Sequence, residues 1–90
     1  MAESTYNLDV ITPEKIVYSK EVTAIVAHGT SGHLGVLAHH TPLVTSLEPG
    51  PFKITEPGEK VVTVTLGGGF MEVRGNKVVV LADSVEDLLN

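Results

Sequence analysis

The stretch HLGVLAHHTPLVT, residues 33–45, contains the pattern that decides the fold. It joins a glycine-bounded turn to a short apolar strand, and a polar corner at His39 and His40 then leads to Pro42. Proline fixes φ and donates no backbone hydrogen bond, so regular strand pairing ends there. The stretch is therefore typical of an exposed corner in a β protein rather than of a catalytic loop.

Most of the chain alternates apolar and polar residues with a period of two, which is the pattern of half-buried strands. The alternation is clearest in residues 6–10 and 61–66. The other predicted strands cover residues 16–18, 22–28, 34–37, 44–47, 52–55, 70–73 and 78–81. The strand at 22–28 is largely apolar on both faces, which predicts that it is covered on both sides. Turn signals recur about every eight to twelve residues, and this spacing predicts an all-β, mostly antiparallel sandwich of two sheets and about ten short strands.

Several turns follow from the residues between these strands. Ser19-Lys20-Glu21 is polar enough to turn, and residues 74–77 resemble a hairpin turn. Three consecutive glycines, 67–69, indicate a bulge or a close approach of two backbone segments. Glu56 and Glu59 flank a turn, so we expect both side chains to be solvated.

The chain end is the one place where a helix is predicted. Val85 to Leu89 can start one, with Asp83 or Ser84 as its N-terminal cap. We therefore divide the chain into a β-sandwich domain at 1–84 and a short tail at 85–90.

Composition excludes several classes of function. Ninety residues, 42% of them hydrophobic, suffice for one domain with a modest core. A formal charge of −5 with only six Lys and Arg argues against binding to nucleic acid or insertion into anionic lipid. There is no cysteine, which excludes disulfides and thiolate metal sites. No apolar run approaches the roughly 20 residues of a membrane helix, and no signal peptide is visible, so we expect a soluble intracellular domain.

The residues provide no pattern for catalysis. The sequence around Ser31 lacks the glycine spacing of a nucleophile elbow, and residues 29–35 lack the Lys-Ser/Thr ending of a phosphate loop. Adjacent His39 and His40 on an extended chain point to opposite faces and cannot easily share a metal. We therefore predict no catalytic, cofactor-binding or metal-binding residues. The four histidines and the glycine turns leave one alternative open, a small metal-binding or carbohydrate-binding β module.

Several dispersed motifs resemble the N-terminal domain of the ATP synthase epsilon subunit, in order and over essentially the whole chain. They are YNLDV at 6–10, GHLGVL at 32–37, HTPLVT at 40–45, PG at 49–50, GGFMEV at 68–73 and VLAD at 80–83. The resemblance implies a non-catalytic rotor subunit at the foot of the central stalk. It also implies a location at the cytoplasmic face of the bacterial cell membrane, as part of the F1 complex.

In the family, this domain packs against the gamma subunit and rests on the polar loops of the membrane c-ring. Ring rotation driven by a proton gradient then reaches the gamma subunit and serves ATP synthesis. No cofactor is implied. A stiff domain suits this role, because local opening would dissipate the rotation.

The resemblance assigns two groups of contact residues. Ser31, Gly32 and His33 match the family loop that meets the c-ring. Relatives often carry a carboxylate where this chain has His33, so a pH-dependent contact is one interpretation and an idle exposed histidine is the other.

His40, Pro42 and Thr45 match positions near the gamma subunit, although Pro42 also has the simpler role of ending the corner. Typical relatives continue into a C-terminal helical hairpin, which can inhibit ATP hydrolysis and in some members binds ATP. The present sequence stops at Asn90, as a naturally short subunit or as part of a longer one. We expect neither inhibition of ATP hydrolysis nor ATP binding by these residues. A further alternative is a scaffold fragment whose partner surface lies outside these residues.

Overall fold

The computed structural model describes residues 4–30 and 32–89, with side chains described up to residue 86. The strands are β1 Tyr6–Ile11, β2 Ile16–Val22, β3 Ala24–Gly29, β4 Gly32–Leu37, β5 Leu43–Leu47, β6 Gly50–Glu56, β7 Lys60–Leu66, β8 Gly69–Arg74, β9 Lys77–Ala82 and β10 Val85–Leu89. Within these residues no helix is long and apolar enough to cross a membrane. The predicted all-β sandwich of ten short strands is confirmed.

The strands form two five-stranded layers. Sheet 1 has the order β10-β7-β6-β3-β4, and sheet 2 has the order β5-β8-β9-β1-β2. The two are continuous in hydrogen bonding through one backbone pairing, between Gly29 of β3 and Leu47 of β5. Among the described pairings only β1 with β9 is parallel, which places the first strand beside the penultimate strand in sheet 2.

The core lies between the layers and contains the inward residues of each alternating strand. Leu8, Ile54, Val62, Met71 and Val80 have no exposed surface. Each such side chain contributes about 1.5–3 kcal/mol relative to an exposed one. The alternation in residues 6–10 and 61–66 is therefore correctly interpreted as one buried and one solvated face.

Two buried tyrosines connect the layers through hydrogen bonds. The Tyr6 hydroxyl donates to the backbone oxygen of Val36 at 2.6 Å, which joins β1 to β4. The Tyr18 hydroxyl donates to Glu56 Oε2 at 2.5 Å, which joins β2 to β6. Burial raises the pKa of both phenols, so each remains a donor at neutral pH.

The solvent exposure of Glu56 differs from the predicted one. Only 7% of the residue is exposed, and the carboxylate also lies 3.6 Å from Lys20 Nζ. The Tyr18 hydrogen bond is the main cause that lowers the pKa of Glu56, with Lys20 and Lys60 adding to it against the opposing effect of burial. The expected solvation of Glu56 is therefore wrong, whereas Glu59 is exposed in the turn, as predicted.

Two predicted features of residues 16–28 are also wrong. Ser19-Lys20-Glu21 does not turn, because β2 continues to Val22 with all three residues paired to β1. In β3, Ile25 and Ala27 are buried while Val26 is 38% exposed, so the strand is covered on one face. An apolar residue on the solvated face is common and does not require a second layer.

The glycine triplet lies at a close approach between two backbone segments, as predicted. Gly68 and Gly69 have φ values of 102° and 145°, which side chains other than glycine rarely adopt. A Cβ atom at Gly69 would overlap the carbonyl oxygen of Leu81, and one at Gly67 would overlap the Ser84 hydroxyl. Glycine is thus required where β8 begins beside the end of β9.

The helix predicted at the chain end is wrong. Val85–Leu89 forms β10, which pairs antiparallel with β7 through Leu66, Thr65 and Thr63. The free edge of β7 offers unpaired backbone groups, and a strand satisfies them where a helical turn cannot. The division of the chain after residue 84 stays a prediction, and Asn90 lies outside the described residues.

Candidate partner-binding surfaces

The outer face of sheet 2 carries a row of apolar side chains that crosses neighbouring strands. Strand register aligns Ser46, Phe70, Leu81, Ile11 and Ile16 across β5, β8, β9, β1 and β2. The exposed fractions are 56% for Phe70, 53% for Leu81 and 61% for Ile16. We call the four apolar residues of this alignment, Phe70, Leu81, Ile11 and Ile16, the apolar row, which the polar Ser46 continues into β5. Contiguous exposed apolar surface of this kind marks interaction sites on soluble proteins.

A mixed row lies beside the apolar row and gives it a polar border. It consists of Val44, Glu72, Val79, Asp9 and Ser19 in the same strand order. Val44 is 69% exposed and borders a shallow depression shared with Phe70 and Leu81 of the apolar row. An apolar centre with a polar rim is the usual anatomy of a protein interface.

Asp9 supplies a fixed charge to this border. Its carboxylate accepts a hydrogen bond from the Ser19 hydroxyl at 2.7 Å and lies 3.5 Å from Lys77 Nζ. The Ser19 hydrogen bond is the largest cause that lowers the pKa of Asp9, and Lys77 adds a smaller part. Asp9 is consequently ionised at neutral pH, and Ser19, Lys77 and the Asn7 amide, which donates to it at 3.1 Å, hold it in place.

The outer face of sheet 1 is less apolar. Its comparable row contains Val61, Thr55, Ala24 and Leu37, aligned across β7, β6, β3 and β4. Val61 and Leu37 are 48% and 65% exposed but are separated by two small side chains. Of the two outer faces, that of sheet 2 is the better candidate for a docking surface.

The predicted c-ring contact lies at the tip of the hairpin formed by β3 and β4. Gly32 and His33 are exposed there, and Ser31 lies outside the described residues. His33 is directly opposite His28, and their Nε2 atoms are 2.6 Å apart. This pair was not predicted, although two histidines at equal distance from a hairpin turn indicate it.

The predicted gamma contacts do not form one surface with the apolar row. Thr45 is half-buried and lines a depression with Gly32 and His33, so the two predicted contact groups meet there. His40 and Pro42 lie in the connection between β4 and β5, and His40 Nδ1 is 2.6 Å from the Thr41 backbone oxygen. The role of each of these residues stays a prediction.

The histidine corner differs from the extended chain that was assumed. His39 adopts a left-handed conformation with φ of 65°, so His39 and His40 do not simply alternate across a strand. Among the side chains described, in residues 4–30 and 32–86, no three His, Cys, Asp or Glu residues are grouped closely enough to hold a metal ion.

Two solved assemblies contain chains with the same fold. A chain of the Euglena gracilis mitochondrial ATP synthase, in an OSCP/F1/c-ring structure, matches with a TM-score of 0.87 and 24% identity, over 94% of this chain and 54% of that one. A chain of the Tetrahymena thermophila mitochondrial ATP synthase central stalk and c-ring matches with a TM-score of 0.78 and 20% identity, over 97% and 69%.

Sequence relatives are closer. The ATP synthase epsilon chain of Pelotomaculum thermopropionicum is 49% identical over 96% of this chain and 63% of its own length. That of Desulforamulus reducens is 48% identical over 91% and 61%. The present chain thus spans about three-fifths of these curated relatives. The family model of the ATP synthase delta/epsilon chain β-sandwich domain matches residues 5–88, and the chain belongs to that family.

Proposed function

We propose that this chain is a non-catalytic subunit of the central stalk of an F-type ATP synthase. In this role it couples rotation of the c-ring, driven by a proton gradient, to the gamma subunit for ATP synthesis. Its place is peripheral, on the cytoplasmic face of the bacterial cell membrane within the F1 complex. Family membership and the relatives named epsilon chain support the assignment.

The observation that carries this proposal is the apolar row on sheet 2. Phe70 and Leu81 are each more than half exposed and face each other across β8 and β9. Aromatic and aliphatic side chains at the centre of a patch, with charged groups at its border, are the usual anchors of a protein interface. We assign this face to the gamma subunit.

The β3–β4 hairpin is the proposed contact with the polar loops of the c-ring. Gly32 and His33 are exposed at its tip, where a flat partner surface can reach them. His40, Pro42 and Thr45 remain candidate gamma contacts, of which Thr45 borders the same depression as His33. The two partners would then meet this chain on adjoining surfaces.

The connections between the two layers make the domain stiff, and this supports the proposed coupling role. The layers share a continuous apolar core, and the Tyr6 and Tyr18 hydrogen bonds cross between them. Every buried side-chain nitrogen or oxygen in the described part of the chain has a hydrogen-bond partner. Such satisfied polar groups favour one defined arrangement of the core over alternatives.

Co-purification with the gamma subunit tests the proposal. The chain and the gamma subunit of its own organism are expressed together, and the complex is captured through a tag on gamma. The double variant Phe70→Ser/Leu81→Ser removes two central anchors of the row, and we expect at least about a tenfold loss of affinity.

A matched control replaces two apolar side chains of similar exposed fraction on sheet 1. The double variant Val61→Ser/Leu37→Ser changes two exposed side chains on that face and should bind gamma as the wild type does. Circular dichroism establishes that both variants are folded. Absence of gamma capture by the wild type refutes the function, whereas loss in the control alone refutes only the choice of face.

A further inference from the structure

We propose that the β3–β4 hairpin binds a divalent transition-metal ion of tetragonal preference, Cu²⁺ before Ni²⁺, through Nε2 of His28 and Nε2 of His33. The two residues are directly opposite each other in the register of the hairpin. Their Nε2 atoms lie 2.6 Å apart, and their ring centroids are 4.1 Å apart at an interplanar angle of 74°. Imidazole nitrogen is a preferred ligand of Cu²⁺, Ni²⁺ and Zn²⁺.

The pair is held in place before any ion binds. Gly50 lies behind the His28 ring, and a Cβ atom added there would come within 2.9 Å of His28 Nδ1. The missing side chain at Gly50 therefore leaves room for the ring in an orientation that directs Nε2 toward His33. Backbone pairing of β3 with β4 fixes the two Cα positions on either side of a short turn. Little ordering entropy is lost when both ligands are already adjacent.

The separation of the two nitrogens selects the geometry of the ion. With metal–nitrogen distances of about 2.0 Å, ligands at 90° are about 2.8 Å apart, and tetrahedral ligands are about 3.3 Å apart. The observed 2.6 Å is closer to the square arrangement and requires an opening of about 0.2 Å. Cu²⁺ also binds nitrogen ligands more tightly than the other first-row divalent ions.

The surroundings suit a cation that keeps open coordination positions. His33 is exposed, so water can occupy the remaining positions. Glu48 borders the same depression as the two histidines and adds negative charge beside it. The chain as a whole carries a formal charge of −5. An ion bound to both Nε2 atoms requires that neither nitrogen carries a hydrogen, so each neutral ring must be the tautomer with its hydrogen on Nδ1.

This site does not depend on the proposed role in the central stalk. His39 and His40 provide an internal comparison, because they are also histidines but lie outside paired strands. The expectation of no metal-binding residue came from the spacing of all four histidines along the sequence, and a pair across a hairpin was not considered. The inference therefore concerns only the geometry of His28 and His33.

Titration of the purified chain with Cu²⁺ at neutral pH tests the site, with calorimetry for affinity and electron paramagnetic resonance for the ligands. We expect one Cu²⁺ per chain, with hyperfine splitting from two nitrogens. His28→Asn or His33→Asn should weaken binding by at least about tenfold, the loss that even an outer-shell partner produces. The control His39→Asn/His40→Asn should retain the wild-type affinity.

A second measurement needs no variant. In the wild-type chain, bound Cu²⁺ should broaden the amide NMR signals of the β3–β4 hairpin first and those of the turn between β6 and β7 last, because that turn follows the end of β6 that is remote from Gly50 and His28. Equal binding by wild type and His33→Asn would overturn the site, as would broadening centred on residues 39–40. Tighter binding of Zn²⁺ than of Cu²⁺ would overturn the tetragonal assignment.

Discussion

Removing the Tyr18 hydroxyl should show how strongly the two layers are connected. Tyr18→Phe deletes the hydrogen bond to Glu56 and keeps the buried ring. The hydroxyl is 2.5 Å from the carboxylate oxygen, and the two residues lie in different sheets. A hydrogen bond to a charged group contributes about 1.5–3 kcal/mol. Glu56 keeps Lys20 at 3.6 Å after the change, so we expect the lower end, about 1.5 kcal/mol.

The sign of the pH dependence follows from the lowered pKa of Glu56. A carboxylate whose pKa is lower in the folded chain stabilises the fold above its unfolded pKa, roughly 4.3, and loses that contribution as the pH falls through the folded value. Tyr18 is the main cause of the lowering, ahead of Lys20. The destabilisation by Tyr18→Phe should therefore be full at pH 7 and smaller at pH 3.

Urea unfolding at both pH values measures these effects, supported by thermal unfolding. For a domain of this size, about 1.5 kcal/mol corresponds to a fall in Tm of roughly 6–12 °C. Ser19→Ala is the matched control, because it removes an exposed hydrogen bond to Asp9 from the neighbouring residue. We expect it to cost less than about 0.5 kcal/mol.

A double-mutant cycle with Glu56→Gln isolates the pair. The coupling between Tyr18→Phe and Glu56→Gln should be about 1 kcal/mol at pH 7, since the two side chains are in direct contact. Zero coupling, or a Tyr18→Phe penalty that grows as the pH falls, would refute the reasoning. Either result would mean that the packing of the ring, and not its hydroxyl, connects the layers.

Two further substitutions, each with a control, test the packing. Gly69→Ala should destabilise the fold by more than about 2 kcal/mol in urea unfolding, because the added Cβ would overlap the Leu81 carbonyl oxygen. The control Gly75→Ala has open space around the added Cβ and should cost about 1 kcal/mol, for its positive φ alone. Ile54→Ala should cost about 2–5 kcal/mol by the same measurement, and the exposed Val61→Ala less than about 0.5 kcal/mol; similar values for the two would contradict the assignment of faces.

Local alternation was sufficient to predict the sandwich, because the order of apolar and polar residues along each strand indicates which of its faces is buried. Val62, Val64 and Leu66 in β7 are all buried, while the residues between them are exposed. The same alternation does not indicate whether a further layer covers the outer face of a strand. Val26 in β3 looks like a core residue by type, yet no layer covers it.

Glu56 and β10 show the same limit for tertiary partners. A glutamate before a Pro-Gly turn is normally solvated, and only the approach of Tyr18 from 38 positions away buries it. The segment Val85 to Leu89 is so short that tertiary contacts determine its conformation. Pairing with the open edge of β7 makes it a strand. In both cases the deciding contact joins residues that are distant in the sequence.

The candidate surface was only partly predictable. The resemblance implied a contact with the gamma subunit, but it assigned that contact to His40, Pro42 and Thr45 and not to the outer face of sheet 2. The apolar row instead arises from register, since Ile11, Leu81 and Phe70 become neighbours through the parallel pairing of β1 with β9 and the antiparallel pairing of β9 with β8. No local pattern connects Ile11 near one end of the chain with Leu81 near the other.

The hydrogen bond of Tyr6 gains importance when the two proposed contact surfaces are considered together. The apolar row lies on sheet 2, whereas the hairpin tip belongs to sheet 1, and backbone pairing connects the sheets only at Gly29 and Leu47 in the described chain. Apart from this pairing and the loops that join the two sheets, a load between gamma and the c-ring must cross the core. Tyr6 extends from β1, a strand of the apolar row, to Val36 in β4, a strand of the hairpin. Of the two tyrosines, Tyr6 thus acts on the strand that carries the proposed c-ring contact.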